Sequence, residues 1–161
     1  MINQINKLDF SHCFEVDFCR SLLSIPERIY FNVPSTSQII SLTEQQQVIL
    51  AVLFTRHHNG LIREENLSKI IQRSNEYHWI IPYIIRIMGE YVIEILQVIK
   101  SNLDKVNKKK IKEFIIDNPI FYHKIESRVV SYWNCYYRNE YPKKEEYVGI
   151  EILNYFRSLS N

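Results

Sequence analysis

Residues 79–99 read WIIPYIIRIMGEYVIEILQVI and form the longest apolar stretch of the chain. Pro82 suits the first turn of a helix, where a missing amide proton costs nothing, so a helix is predicted to begin there. The stretch is long enough to span a membrane, but Arg86, Glu90 and Glu94 near its middle each oppose insertion by about 2.5–3.5 kcal/mol. Each surrounding Ile, Leu or Val favours insertion by only about 0.3–0.6 kcal/mol. We therefore expect a buried helix of a soluble protein.

Polar residues recur every three or four positions along this predicted helix, which would extend to about Lys100. They are Arg86, Glu90, Glu94 and Gln97, and they share one narrow stripe of an otherwise apolar cylinder. A helix with a single polar stripe should be central, with neighbours on its other sides. The stripe has two interpretations, an ion-paired face open to solvent or a pair of carboxylates in an active site, and the first is favoured.

Further helices are predicted on both sides of this stretch. Thr43 and Gln46 form a capping box, which predicts the start of one helix, and Asn118 with Pro119 predicts the start of another. Apolar residues at helical spacing predict helices over residues 10–23, 43–54, 61–71, 104–117, 119–136 and 147–159, with a loop over residues 27–41. Short connections favour antiparallel neighbours, so we expect one all-α domain over residues 1–161, with about seven helices in antiparallel hairpins.

Composition limits the class of protein. Twenty basic and eighteen acidic residues give a net charge of +2, which disfavours a dedicated nucleic-acid binder. Three cysteines without C-x-x-C spacing indicate neither a disulfide framework nor a zinc ribbon, so we expect a cytoplasmic protein. The first residues lack the pattern of a secretory signal. With three glycines and no phosphate-loop or metalloprotease motif, we predict no cofactor, no metal, no membrane partner and no catalytic site.

One part of the sequence resembles a known family. Ile62-Arg63, Asn66 and Ile70 match the Val-Arg, Ala and Leu positions in the second helix of a HEAT or armadillo-like repeat, and Asn59-Gly60 stands where that family turns between its helices. The match covers about residues 43–100, and Asn66 departs from the small apolar residue of the pattern. The resemblance implies HEAT/armadillo-like stacked helical pairs and a surface that binds another macromolecule.

Other candidate sites have a functional and a structural interpretation. His57-His58 would be a general base or, more simply, a solvated helix end. Lysines at 105, 108, 109, 110 and 112 could contact nucleic acid, although a solvated helix face is favoured because no aromatic residue lies within the run. An enzyme using Glu90, Glu94 and His57 is a further alternative. Cys135, with aromatic neighbours in sequence, is predicted to be a buried, inert thiol.

The most unusual region is residues 132–147, where tyrosines alternate with charged residues. Tyr, Trp and Arg are enriched at protein interface hot spots, so this region is predicted to contribute to an interface as well as to the core. We expect a non-enzymatic binding protein, most specifically an immunity protein or antitoxin that covers the active surface of a cognate bacterial toxin. If that toxin is a nuclease, acidic side chains could pair with its basic groove. The predicted partner-binding residues are Glu64, Glu65, Tyr136, Tyr137, Arg138, Tyr141, Glu145 and Glu146.

Overall fold

The fold is predominantly helical and carries two small antiparallel sheets, in a computed structural model that describes residues 7–8 and 12–160. The strands are β1 (Lys7–Leu8), β2 (Cys13–Phe18), β3 (Ser21–Pro26) and β4 (Ile29–Tyr30). The helices are α1 (Thr36–Ile40), α2 (Glu44–Phe54), α3 (Gly60–Ile71), α4 (Ile81–Met88), α5 (Ile93–Lys100), α6 (Lys108–Asp117), α7 (Pro119–Tyr132) and α8 (Val148–Ser160). One π-helical turn, Trp133–Tyr137, follows α7 directly.

The prediction of a helix over residues 10–23 is wrong. Residues 13–26 instead form the β2–β3 hairpin, in which Phe14 pairs with Ile25 and Phe18 with Ser21, while residues 9–11 lie outside the described residues. Phe14 and Phe18 are four residues apart, which also fits one face of a helix. Burial nevertheless alternates along β2, since Val16 is buried and its two sequence neighbours are exposed, as in a half-buried strand.

The hairpin turn carries none of the usual sequence signals. Cys19 and Arg20 occupy its two central positions with φ of 51° and 64°. Two-residue hairpin turns of this kind favour Asn-Gly or Asp-Gly, because most side chains avoid positive φ. The residue types Cys19 and Arg20 therefore do not indicate a turn at these positions. Residues 27–41, predicted as a loop, contain β4 and the short helix α1, whose capping box joins Ser35 and Gln38.

The helical predictions in the middle of the chain are largely confirmed. The Thr43–Gln46 capping box is present at the start of α2, and Asn59 caps α3 by accepting a hydrogen bond from the Leu61 amide. Helix α6 buries Ile111, as predicted from its spacing. The starts of α2 and α3 depend on contacts between residues two or three apart, which is why local sequence sufficed to predict these helices.

The predicted helix from Pro82 to Lys100 is two helices. Helix α4 ends at Met88, and α5 begins only at Ile93. The break lies at Gly89, where a Cβ atom would stand 3.2 Å from Cδ1 of Ile125, so a larger residue would require the Ile125 side chain to move. All eight residues of α4 are buried, which confirms its central position, but its predicted solvent-exposed stripe does not exist.

The remaining helices pack around α4. Helix α4 contacts α5, α6 and α7, and α8 lies against α5, α6 and α7. Helix α2 packs on α3, and α3 packs on α5. Val16 and Ile25 of the hairpin join the same hydrophobic core. The N-terminal strands are therefore part of the domain rather than an appendage.

Asn118 attaches the hairpin to the helices. It stands at the predicted N-cap position of α7, but its side chain makes no capping hydrogen bond. Its Oδ1 accepts from the Asp17 amide at 2.7 Å, and its Nδ2 donates to the Asp17 carbonyl at 2.9 Å. Nδ2 also donates to the Phe114 carbonyl at the end of α6. The side chain thus occupies the edge of β2 as a neighbouring strand would.

Candidate functional site

The break between α4 and α5 places the carboxylate of Glu90 inside the protein. Its side chain is only 1% exposed. Arg28 approaches it in a two-pronged contact, with Nη1 at 3.0 Å from Oε1 and Nη2 at 2.6 Å from Oε2. Arg56, Arg63 and Arg86 lie around the same carboxylate at 3.3, 3.7 and 3.8 Å. Four guanidinium groups therefore surround one buried anion.

The arginines around Glu90 come from separate parts of the chain. Arg28 lies between β3 and β4, Arg56 follows α2, Arg63 belongs to α3, and Arg86 belongs to α4. Arg56 Nε donates to the Pro26 carbonyl at 3.1 Å, and Arg63 Nη1 donates to the His57 and His58 carbonyls. Nε of Arg63 and Nε of Arg86 are buried without a hydrogen-bond partner among the described residues. The cluster consequently fixes the N-terminal strands, α3 and the end of α4 relative to one another.

A second carboxylate, Glu27, lies at the edge of the same cluster. It is half-buried, and its Oε1 is 3.1 Å from both Arg86 Nη2 and Arg128 Nη2. The Arg86 guanidinium also stacks over the Phe14 ring, 3.9 Å from its centroid. Five arginines and two glutamates leave a formal surplus of three positive charges in one small region. Such a surplus attracts negative charge from outside the chain.

The pKa values of this cluster follow from burial and from the neighbouring charges. Burial by itself raises the pKa of Glu90, but the attraction of Arg56 and Arg28 outweighs it and lowers the pKa below the ordinary glutamate value. Burial lowers the pKa of Arg86 to about 9, aided by repulsion from Arg56 and Arg128. Burial likewise lowers the pKa of Arg56 to about 10, against the attraction of Glu90. Because both values lie above 7, the two guanidinium groups remain protonated at neutral pH.

A patch of aromatic rings on the molecular surface adjoins this cluster. Tyr91 directly follows Glu90 and is 49% exposed, and Tyr136 in the π-helical turn is 65% exposed. Their ring centroids are 6.0 Å apart, and Tyr132 lies 5.9 Å from Tyr91 and 6.1 Å from Tyr136. The Tyr132 hydroxyl accepts a hydrogen bond from Arg128 at 3.2 Å. We call Arg28, Tyr91, Arg128, Tyr132 and Tyr136 the tyrosine–arginine surface.

The other predicted tyrosines are mainly structural. Tyr137 donates to the Tyr91 carbonyl at 2.6 Å and stacks on the buried Tyr147, with centroids 5.2 Å apart. Tyr141 packs against both rings, and its carbonyl accepts from Trp133 Nε1. These contacts hold the π-helical turn in place, so they orient the exposed Tyr136. The sequence singled out the correct region but missed Tyr91, which is 41 positions before Tyr132 and carried no local signal.

The predicted charged contacts lie in different places. Arg138, Glu145 and Glu146 are exposed, in the segment that follows the π-helical turn. Glu64 and Glu65 belong to α3, where Glu65 pairs with Lys69 at 2.7 Å. Among the described residues, the ion pairs and hydrogen bonds of Glu64 and Glu65 stay within α3. The structure does not join them to the tyrosine–arginine surface through any such contact.

The lysine run at the start of α6 is engaged locally. Lys110 pairs with Glu113 at 2.7 Å, and Lys105 donates to Asn102. The Lys108 ammonium lies 5.8 Å from the centroid of the Tyr155 ring, an aromatic neighbour on α8 that the sequence run itself does not contain. These contacts agree with a solvated helix face.

The residues of the predicted Glu/His site are arranged differently from the expectation. Glu90 is buried and ion-paired, whereas Glu94 is exposed on α5, so the two do not form a pair of accessible carboxylates. His57 is buried rather than solvated; its Nδ1 accepts from the Asn59 amide, and its Nε2 faces the Phe31 carbonyl at 2.9 Å. Cys135 is exposed, contrary to the prediction of a buried thiol. Residues 7–8 and 12–160 contain no cluster of three potential metal ligands.

No protein-family model, curated protein or solved structure matches the chain. Within the described part of the chain, no helix has the length and apolarity needed to cross a bilayer. The function must therefore be inferred from the site itself.

Proposed function

We propose that this protein is a non-enzymatic binding protein that docks a protein partner on the tyrosine–arginine surface. One observation carries the proposal: Tyr91 and Tyr136 expose large aromatic rings side by side, next to two half-buried arginines. Exposed aromatic rings with adjacent arginine are the composition of interface hot spots. Singly scattered apolar residues would need no such explanation.

The side chains of the tyrosine–arginine surface are held in place by contacts within the protein, which supports this interpretation. Tyr91 is held next to the buried Glu90, and its carbonyl accepts the hydrogen bond from Tyr137. Arg128 is fixed by Glu27 and Tyr132. A surface whose side chains are already ordered loses less conformational entropy when a partner binds, which favours tight association.

In its most specific form, the proposal is that the protein is a cytoplasmic immunity protein or antitoxin and that the partner is a toxin. Small size and a predominantly helical fold support this form by analogy. We also propose that α2–α3 and α4–α5 act as two HEAT-like helical pairs. The packing of α2 on α3 and of α4 on α5 supports this proposal. If the partner is such a toxin, the acidic residues Glu145 and Glu146 would contact its basic groups at the rim of the interface.

Affinity capture with matched variants tests the proposed surface. The tagged protein and its Tyr91→Ala/Tyr136→Ala variant would each be expressed with the neighbouring gene and purified under identical conditions. The control variant Ile116→Ala/Ile120→Ala truncates two other exposed apolar side chains, near the junction of α6 and α7. We expect one stoichiometric partner with the wild type and the control, and its loss with the tyrosine variant.

A growth assay tests the proposal that the protein is an immunity protein or antitoxin. If the partner is a toxin, its expression alone should stop growth, and co-expression of this chain should restore growth. Restoration should fail with the tyrosine variant at equal protein levels. A partner that is captured equally by both variants would refute the proposed surface, and a captured partner without toxicity would refute the immunity function alone.

A further inference from the structure

A separate cavity lies between the β3–β4 segment, α2 and α4. It has a volume of about 330 Å³ and shares no residue with the tyrosine–arginine surface. Pro26, Ile29 and Phe31 form one wall, Leu53 and Phe54 of α2 form the second, and Tyr83 of α4 also lines it. Pockets of about 300–1,000 Å³ with mostly apolar walls are typical of small-molecule sites.

Tyr83 provides a polar group in this apolar cavity. Its side chain is only 8% exposed, and its hydroxyl has no hydrogen-bond partner among the described residues. The Tyr122 and Tyr147 hydroxyls also lack partners, but they are fully shielded from solvent, whereas the Tyr83 hydroxyl is not. Because this hydroxyl still reaches solvent, it is available to donate a hydrogen bond to a ligand oxygen inside the cavity.

Positive charge lies directly behind the cavity wall. Arg56 donates from Nε to the carbonyl of Pro26, which lines the cavity, and Arg56 belongs to the cluster with three surplus positive charges. Burial raises the pKa of the Tyr83 hydroxyl, and the charge of Arg56 opposes that rise. Arg56 is the charged group that acts on the Tyr83 hydroxyl, so its charge favours a negatively charged ligand over a positive one at this position.

We infer that this cavity binds a small aromatic or branched aliphatic carboxylate. The apolar part of the ligand contacts Phe31, Leu53 and Phe54, and one carboxylate oxygen accepts a hydrogen bond from the Tyr83 hydroxyl. This inference is independent of the proposed function, because the cavity and the tyrosine–arginine surface have no residue in common.

Titrations of the ¹⁵N-labelled protein with three isosteric probes test the inference. Benzoate, benzamide and benzylammonium carry negative, zero and positive charge on similar rings. At constant ionic strength, benzoate should cause saturable shifts of the amide resonances of Ile29, Leu53 and Phe54, with an affinity at least roughly tenfold higher than that of benzylammonium. Equal affinities for the three probes, or resonance shifts that do not saturate, would overturn the inference that the cavity binds a carboxylate.

Variants localise the binding. Tyr83→Phe removes only the hydroxyl and should weaken benzoate binding roughly tenfold while leaving toluene binding unchanged. Leu53→Trp should fill the cavity and abolish binding, whereas Ile49→Trp, a similarly exposed position of α2 that does not line the cavity, should not. The dispersion of the amide resonances shows whether each variant is folded. If Leu53→Trp does not fold, the result with Tyr83→Phe alone decides the test. Unchanged benzoate binding in Tyr83→Phe would contradict the assigned hydrogen bond.

Discussion

Arg28 and Glu90 are 62 residues apart in sequence, yet the two terminal nitrogens of the guanidinium each donate to a different carboxylate oxygen, Nη1 to Oε1 at 3.0 Å and Nη2 to Oε2 at 2.6 Å. Bidentate pairing of this kind is stronger and more directional than a single contact. It connects the segment between β3 and β4 to the break after α4. The buried charges therefore determine how the N-terminal strands meet the helices, and they support the exposed Tyr91 next to Glu90.

Removal of the buried carboxylate should destabilise the fold strongly. Glu90→Gln keeps the size of the side chain but leaves Arg28, Arg56, Arg63 and Arg86 without their shared anion. Loss of one partner of a buried ion pair costs about 3–5 kcal/mol, so we expect a decrease of that size in the free energy of unfolding measured in urea. Glu65→Gln, which breaks an exposed pair with Lys69, should cost less than about 1 kcal/mol. Similar losses in the two variants would contradict the assigned role of Glu90.

Stability should also depend on the ionisation of Glu27. Burial raises its pKa, but the hydrogen bond from Arg128 and the charge of Arg86 lower it below the ordinary value. Because the folded-state pKa is the lower one, the carboxylate stabilises the fold above the unfolded-state pKa of about 4.3. This stabilisation is lost as the pH falls through the folded-state pKa.

The test compares wild type with Glu27→Gln from pH 7 to pH 2.5. The difference in unfolding free energy should be largest near pH 7 and should shrink below about pH 4.3. A difference that stays constant over this range would show that the carboxylate charge of Glu27 does not matter.

Asn118 should control the order of the β2–β3 hairpin. Asn118→Ala removes the acceptor of the Asp17 amide, so hydrogen exchange at that amide should accelerate. It also removes two donated hydrogen bonds, and we expect a total loss of roughly 1–3 kcal/mol in stability. Asn102→Ala, which loses only two local bonds, one to the Val98 carbonyl and one from Lys105, is the control. Unchanged protection of the Asp17 amide would refute this role.

Two glycines should respond in opposite ways to the same substitution. A Cβ at Gly149 would stand 2.8 Å from Val129 Cγ1 and 2.7 Å from Tyr147 Cε1, so Gly149→Ala should destabilise the protein by about 1–3 kcal/mol. At Gly60 the nearest atoms are 3.7 Å away, and Gly60→Ala at the start of α3 should be neutral or stabilising by up to about 1 kcal/mol. Thermal melting of the two variants measures both effects. Similar melting temperatures would contradict the close packing of α7 and α8.

Local sequence predicted those parts of the fold that depend on local contacts. The Thr43 capping box, the start of α7 at Pro119 and the buried face of α6 all follow from residues a few positions apart. The β2–β3 hairpin was missed although the alternation from Phe14 to Phe18 fits a strand, because the same two phenylalanines also fit a helical face. The break at Gly89 was not predicted, and the residue that packs against this glycine, Ile125, lies on another helix.

The candidate site was predicted only in part for the same reason. The aromatic run after Tyr132 is visible in the sequence, and the exposed Tyr136 belongs to it. Tyr91 and the arginines beneath it come from distant parts of the chain, so only the tertiary structure brings them to that run. Glu90 was expected at a solvent-exposed face, and its burial depends on arginines from four separate segments.

The most direct test of the central claim is a calorimetric titration of the captured partner with wild type and with Tyr136→Ala. Truncation of a hot-spot tyrosine costs about 2 kcal/mol or more, so the dissociation constant should rise roughly 30-fold or more. The Ile120→Ala control should bind as the wild type does. Wild-type affinity for Tyr136→Ala, with the fold intact, would contradict docking on the tyrosine–arginine surface.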